Sequence, residues 1–264
     1  MQYASDTIKW PMNKSTLSSI KGLVTGFIAG TGGGLISLGG GTLVIPLLMG
    51  WVALTPLQAR GTAIMVSVFS AATGAVVYTL RGQVDLEVVL WVAVPSFLIT
   101  PLAAAWSERL PPNTLKREFG AIIVLGGLLV MFRDYLPATP TIPANWSHAY
   151  LFGVGVIEGL VAGVVGISGG PVLAPLFVLG LGMPQQLAQG CSLAARLPAT
   201  LSGTWENWRL GNVCRPLILP LAIGALSGAV VGSHLALALP EARLRAVFGI
   251  FLVLLGLRYL LQRR

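Results

Sequence analysis

The chain has 264 residues, of which 55% are hydrophobic and 10% charged, and its mean hydropathy is +0.80. Soluble domains carry about 25% charged residues, so a water-soluble fold of this size could not cover its surface, and the remainder is expected to face lipid. The net charge of +8 is scattered over short separators and the two tails, which argues against a nucleic-acid partner and suits the lysines and arginines that orient a multi-spanning protein.

Residues 1–17 read as a polar tail with Lys9 and Lys14 and no small-residue cleavage site, so no signal peptide is expected. Apolar stretches of membrane-spanning length then recur about eight times. The first, residues 18–50, is too long for a straight crossing, since about 30 helical residues cover roughly 45 Å against a hydrocarbon core near 30 Å. It is interrupted by Gly32-Gly33-Gly34, Gly39-Gly40-Gly41 and Pro46. Residues 57–80 follow, with Arg60, Thr62, Ser67 and Ser70, and then 86–107 and 115–136. A segment rich in proline and threonine, 135–147, reads as a linker. The fifth stretch, 148–179, is again overlong; it carries Glu158 and is broken at Gly166-Ile167-Ser168-Gly169-Gly170-Pro171 and Pro175. Residues 186–206, 216–239 and 244–261 complete the set.

The linker separates two copies of one unit. Pro46 superposes on Pro175 with a displacement of 129 residues (175 − 46), and the same displacement aligns Gly26 with Gly155, Gly30 with Gly159, Gly40 with Gly169, Gly61 with Gly190 and Gly82 with Gly211. It still holds at Pro111/Pro240, Phe119/Phe248 and Gly127/Gly256. The expected organisation is a first transmembrane repeat at 18–134 and a second at 148–264, an arrangement common in secondary transporters with the substrate between the repeats. Parallel and inverted repeats both remain open.

Unwound backbone at membrane depth survives only where protein buries it or water reaches it, and free N–H groups at the start of a half-helix favour an anion. Gly39, Gly40, Gly41, Ser168, Gly169 and Gly170 are therefore expected to be non-helical and to form the floor of a cavity. The ridges Gly22, Gly26, Gly30, Gly34 and Gly224, Gly228, Gly232 are expected to serve helix packing. In 186–206, Gln185, Gln189, Ser192, Arg196 and Thr200 fall on one helical face, and such a stripe turns toward the bundle interior. A mid-membrane arginine costs about 2.5–3.5 kcal/mol and needs compensation. Pro198 should kink this helix. Arg196 and Glu158 correspond to Ser67 and Ala29, so both charges belong to the second copy alone. They form either a structural ion pair or an anion contact with a proton-carrying acid beside it. Expected substrate contacts are Gln189, Ser192, Arg196, Thr62 and Ser67 together with the glycine breaks, with Glu158 the candidate for coupling.

The spaced glycines, the Gly-Gly pair, the proline and the following Met-Pro, alanine and Gly-x-Ser-Leu resemble the TauE/SafE family of sulfite and organosulfonate exporters. The residues are Gly159, Gly163, Gly166, Gly169, Gly170, Pro175, Met183-Pro184, Ala188 and Gly190-Cys191-Ser192-Leu193, with Gly30, Gly34, Gly40-Gly41, Pro46, Ala59 and Gly61-Thr62-Ala63 in the first copy. Cys191 stands where threonine is expected and Ala63 where serine is expected. The resemblance implies outward movement of sulfur-containing anions such as sulfite or sulfonates, without ATP, across a cell (inner) membrane.

The rival reading is an intramembrane serine protease, since Gly166-Ile167-Ser168-Gly169 matches Gly-x-Ser-Gly and His234 lies in another apolar span. A membrane scaffold subunit is the third. Cys191 and Cys214 lack metal-like spacing and are expected to be buried thiols. The expectation is thus an all-α integral membrane protein, not an enzyme, with no cofactor or metal. Its partners are a small anion and the bilayer, and association with further copies is left open.

Overall fold

The computed structural model describes residues 16–37, 41–107, 112–135, 142–165 and 170–261. The α-helices among them are α1 Thr16–Ile36, α2 Gly41–Trp51, α3 Pro56–Leu80, α4 Leu86–Ser107, α5 Pro112–Met131, α6 Ser147–Val165, α7 Gly170–Gly180, α8 Gln185–Ala195, α9 Leu197–Arg209, α10 Ile218–Ala238 and α11 Glu241–Leu261. The core is mainly apolar yet holds charged and polar side chains, and the outer face is rich in apolar ones. Arg196, Glu158, Gln185 and Gln189 are fully buried, whereas Leu80, Leu98, Leu102, Leu219, Ile250 and Leu254 are largely exposed. An apolar outer face of that extent suits lipid rather than water. Four described helical stretches are long and apolar enough to cross a membrane: Pro56–Leu80, Leu86–Ala103, Arg215–Ala238 and Glu241–Leu261.

Helix directions follow from the contacts. Lys21 Nζ donates to the Trp51 carbonyl at 3.2 Å, so α2 returns to the end of the bundle from which α1 starts. Tyr150 donates through its hydroxyl to the Leu176 carbonyl at 2.9 Å, and the Ile142 N–H to the Gly180 carbonyl at 3.3 Å; α6 and α7 form a second hairpin. Gly61 near the start of α3 abuts Asn212 just beyond α9, while Gly190 in α8 abuts the Gln83 carbonyl beyond α3, so α3 and α8–α9 run antiparallel. α1 runs parallel to α10, with Gly26, Gly30 and Gly34 against the Leu221, Ala225 and Ala229 carbonyls. α4 runs parallel to α6, with Gly155 and Gly159 against the Val92 and Ser96 carbonyls. The α1–α2 hairpin therefore dips into the bundle from one end and the α6–α7 hairpin from the other. The helices that follow each hairpin run in opposite senses, and Thr16 and Leu261 lie at the same end.

Local chemistry sets the element boundaries. Thr55 caps α3 in a reciprocal pair with Gln58, and Pro56 occupies the first turn, where a missing N–H costs nothing. The turns after α3 and α9 contain Gly82 and Gly211 at φ +67° and +72°, a conformation that only glycine adopts without strain. Two apolar clusters flank the hairpins. Val44, Leu48 and Ala59 pack with Leu217 and Leu221 in one; Leu173, Phe177 and Ala188 pack with Val88 and Val92 in the other.

Against the expectation of non-helical glycines through Gly41 and Gly170, those two residues open α2 and α7. The first residue of a helix needs no partner for its N–H, so glycine is tolerated there. Gly32, Gly33 and Gly34 lie inside α1, Pro46 inside α2, and Pro171 and Pro175 inside α7, so the expected breaks at these residues are not found. Gly39, Gly40, Ser168 and Gly169 lie outside the described residues.

A Cβ at Gly30 would collide with the Ala225 carbonyl and Ala229 N, and one at Gly228 with the Phe27 carbonyl; backbone cannot yield as a side chain end can. Gly30→Leu is therefore expected to destabilise the protein by about 3 kcal/mol. A thermal unfolding midpoint unchanged in Gly30→Leu would contradict this packing.

Candidate functional site

The polar stripe lies on α8 and α9, and its centre is a helix break. Pro198 has no N–H for the Ala194 carbonyl, so the helix stops at Ala195 and restarts at Leu197, with Arg196 between. The Arg196 N–H turns back to the Ala194 carbonyl, and the Thr200 N–H donates to the Arg196 carbonyl at 3.0 Å. Gln185, Gln189, Ser192 and Arg196 are each 0% exposed and Thr200 5%, so the whole stripe faces inward.

Arg196 Nη1 donates to the Ser37 carbonyl at 2.7 Å. Ser37 follows the last residue of α1 and sits at φ +46°, a strained conformation for a residue with a Cβ. The strain aims a carbonyl at the guanidinium. Arg196 Nε and Nη2 have no hydrogen-bond partner among the described residues. Glu158 on α6 is also fully buried, and its charge acts on Arg196.

Gln189 is held on one side only. Its Oε1 accepts from the Tyr78 hydroxyl at 2.8 Å, while its Nε2 has no partner among the described residues. The Tyr78 hydroxyl also lies 3.2 Å from the Gly34 carbonyl on α1. Ser192 Oγ, Ser37 Oγ and Ser233 Oγ are likewise buried without a partner among the described residues. Ser233 on α10 lies against Gly34 and Gly74, its Oγ 2.7 Å and 3.4 Å from where their Cβ atoms would be. Guanidinium and amide N–H groups can only donate. Buried donors left unmade are costly, on the order of 1–3 kcal/mol each, and such groups together suit an anion that supplies the acceptors.

The other expected site residues are placed differently. Thr62 Oγ1 accepts the Cys214 N–H at 2.9 Å, and Ser67 Oγ donates to the Ala63 carbonyl at 2.9 Å, so both hydroxyls have local protein partners. His234 is exposed with its Nδ1 2.9 Å from the Val230 carbonyl, and Ser168 lies outside the described residues. Cys191 and Cys214 are buried free thiols, and burial pushes the Cys214 thiol up to about 11. Among the described residues no group of three His, Cys, Asp or Glu could hold a metal.

Ser37 and Tyr78 contact the stripe without having been expected, and Ser233 lies buried beside Gly34 and Gly74. A tyrosine inside an apolar run needs a partner for its hydroxyl, and that signal could have found Tyr78. Ser37 corresponds to Gly166 at the displacement of 129, and glycine is at home at positive φ. Ser233 has no signal beyond lying next to a glycine ridge.

A lipid-facing helical bundle with buried donors at helix breaks belongs to the class of multi-pass membrane transporters. The family model "Sulfite exporter TauE/SafE" matches residues 4–130 and 151–264, and the chain belongs to that family. It is 26% identical over 259 residues to "Probable membrane transporter protein YunE" of Bacillus subtilis (strain 168), covering 89% of this chain and 94% of that protein. It is 22% identical over 253 residues to "Probable membrane transporter protein YjnA" of the same organism, covering 91% and 99%. A "Probable membrane transporter protein" of Xylella fastidiosa (strain Temecula1 / ATCC 700964) is 26% identical over 239 residues, covering 87% and 90%. No solved structure matches the chain.

Proposed function

We propose that this protein exports small sulfur-containing anions, sulfite or a sulfonate, across the cell (inner) membrane through a site built around Arg196. The observation that carries this reading is a fully buried guanidinium fixed at Nη1 by Ser37, with Nε and Nη2 left for a ligand. Ser192 and Gln189 Nε2 extend the donor set along α8. Gly41 and Gly170, which open α2 and α7, would bring backbone N–H groups to the anion from the two hairpins, with Thr62 and Ser67 on the path; the expected contacts Gly39, Gly40, Ser168 and Gly169 lie outside the described residues. The planar fork of arginine suits sulfonate oxygens as it suits carboxylate.

The site lies between two copies of one unit arranged in opposite senses. Several observations support the duplication. α2 and α7 both begin and end 129 residues apart, as Gly41–Trp51 and Gly170–Gly180. The contacts Gly26–Leu221 and Gly155–Val92 correspond at both partners, as do the two apolar clusters. Positive φ recurs at Gly82 and Gly211 and at Ala53 and Gly182. Inverted repeats with helix breaks at the midplane are a common build of secondary transporters.

Binding to the folded protein tests the reading. At a hundred times its dissociation constant a ligand stabilises by about 2.7 kcal/mol. Sulfite or methanesulfonate should raise the unfolding midpoint of the detergent-purified protein, and sodium gluconate or a neutral sugar should not. A midpoint that moves with no oxyanion would overturn the assignment.

A further inference from the structure

We propose that Tyr78 is a positioning residue that fixes the polarity of the anion site, and this rests on the reading of Arg196, Ser192 and Gln189 as that site. A glutamine amide is ambiguous, offering an acceptor or two donors according to how it is turned. Here one side is decided. The Tyr78 hydroxyl lies 2.8 Å from Gln189 Oε1 and 3.2 Å from the Gly34 carbonyl, and we assign its one proton to the nearer acceptor, Oε1. Nε2 is thereby turned away from Tyr78, buried and without a partner among the described residues. Tyr78 is itself fully buried and reaches α8 from α3, so the orientation of Gln189 is set by an element outside the polar stripe. Arg196 Nε, Arg196 Nη2 and Gln189 Nε2 then offer donors only, beside the Ser192 hydroxyl, which can donate or accept.

A site of that polarity distinguishes between anions of the same charge and shape. A sulfonate head group presents oxygens that all accept. A phosphonate monoanion presents the same tetrahedron with one P–OH, a donor that would meet another donor. Discrimination against a ligand with a mismatched hydrogen-bonding group is large in a buried site, because the partner groups stay unmade.

The test is competition between methanesulfonate and methylphosphonate, below the second ionisation of the phosphonate, read as apparent affinities from the unfolding midpoint of the full chain. The wild type should prefer the sulfonate by about tenfold or more. Tyr78→Phe should bring that ratio close to one, by weakening the sulfonate while leaving or improving the phosphonate, since the freed amide can turn Oε1 inward. A purely structural role would weaken both alike and keep the ratio, and that result overturns the proposal. Gln189→Met provides the check should Tyr78→Phe fail to fold. It should lose the preference with Tyr78 in place, and a wild-type ratio in Gln189→Met also overturns the proposal. A wild type that binds neither anion removes the anion site itself, a result distinct from an unchanged ratio in the variants.

Discussion

Arg196→Ala is expected to lower anion flux at least about a hundredfold while the protein still inserts in the membrane. Two of its nitrogens, Nε and Nη2, are buried with no partner among the described residues, and hydrogen bonds from a charged donor are worth about 1.5–3 kcal/mol each. Insertion should not suffer, because removing a mid-helix arginine makes the segment more apolar. Arg196→Lys should recover less than about a tenth of the flux, since a compact ammonium cannot hold the Ser37 carbonyl and two ligand oxygens in one plane. The measurement is the initial rate in proteoliposomes per mole of protein. Wild-type rates in a well-expressed Arg196→Ala would refute the assignment.

Removing either Glu158 or Arg196 alone is expected to destabilise the protein by about 3–5 kcal/mol, and removing both should restore most of that. Both side chains are fully buried, and the charge of one acts on the other, so each single substitution leaves a charge in a low-dielectric interior. Unfolding midpoints of Glu158→Gln, Arg196→Gln and the double variant measure the coupling directly. The double variant, folded but without its guanidinium, should still carry no anion, which separates the ligand role of Arg196 from its structural one. The competing outcome is a Glu158→Gln protein that is as stable as the wild type and exchanges anion but no longer concentrates it with a proton gradient. That would make Glu158 a proton carrier rather than a structural partner.

Much of the fold is legible in the sequence because it depends on local chemistry. Excess length and glycine runs mark where the two long segments divide: α1 ends at Ile36 and α2 begins at Gly41, α6 ends at Val165 and α7 begins at Gly170, while Gly32-Gly33-Gly34 stay helical inside α1. Helical spacing puts Gln185, Gln189, Ser192 and Arg196 on one face, and Pro198 foretells the break beside Arg196. The running sense of the two halves was not legible. It rests on contacts such as Lys21 with Trp51 and Tyr150 with Leu176, which fold each broken segment back on itself, and hydropathy cannot separate a hairpin from two crossings. The convergence of Ser37 and Tyr78 on the stripe of α8 and α9 was hidden for the same reason. Tyr78 and Gln189 are 111 residues apart, and Ser37 and Arg196 are 159 apart, so no local pattern links them.

Counterflow in proteoliposomes probes whether a sulfur-oxyanion path runs past Arg196. Vesicles holding wild-type protein or Arg196→Ala are preloaded with unlabelled methanesulfonate and given a trace of the labelled anion outside. The wild type should accumulate label transiently and the variant should not, with no accumulation of a labelled cation or sugar by either. Equal accumulation by both proteins, or wild-type exchange of the cation or sugar and not of the sulfonate, would contradict it.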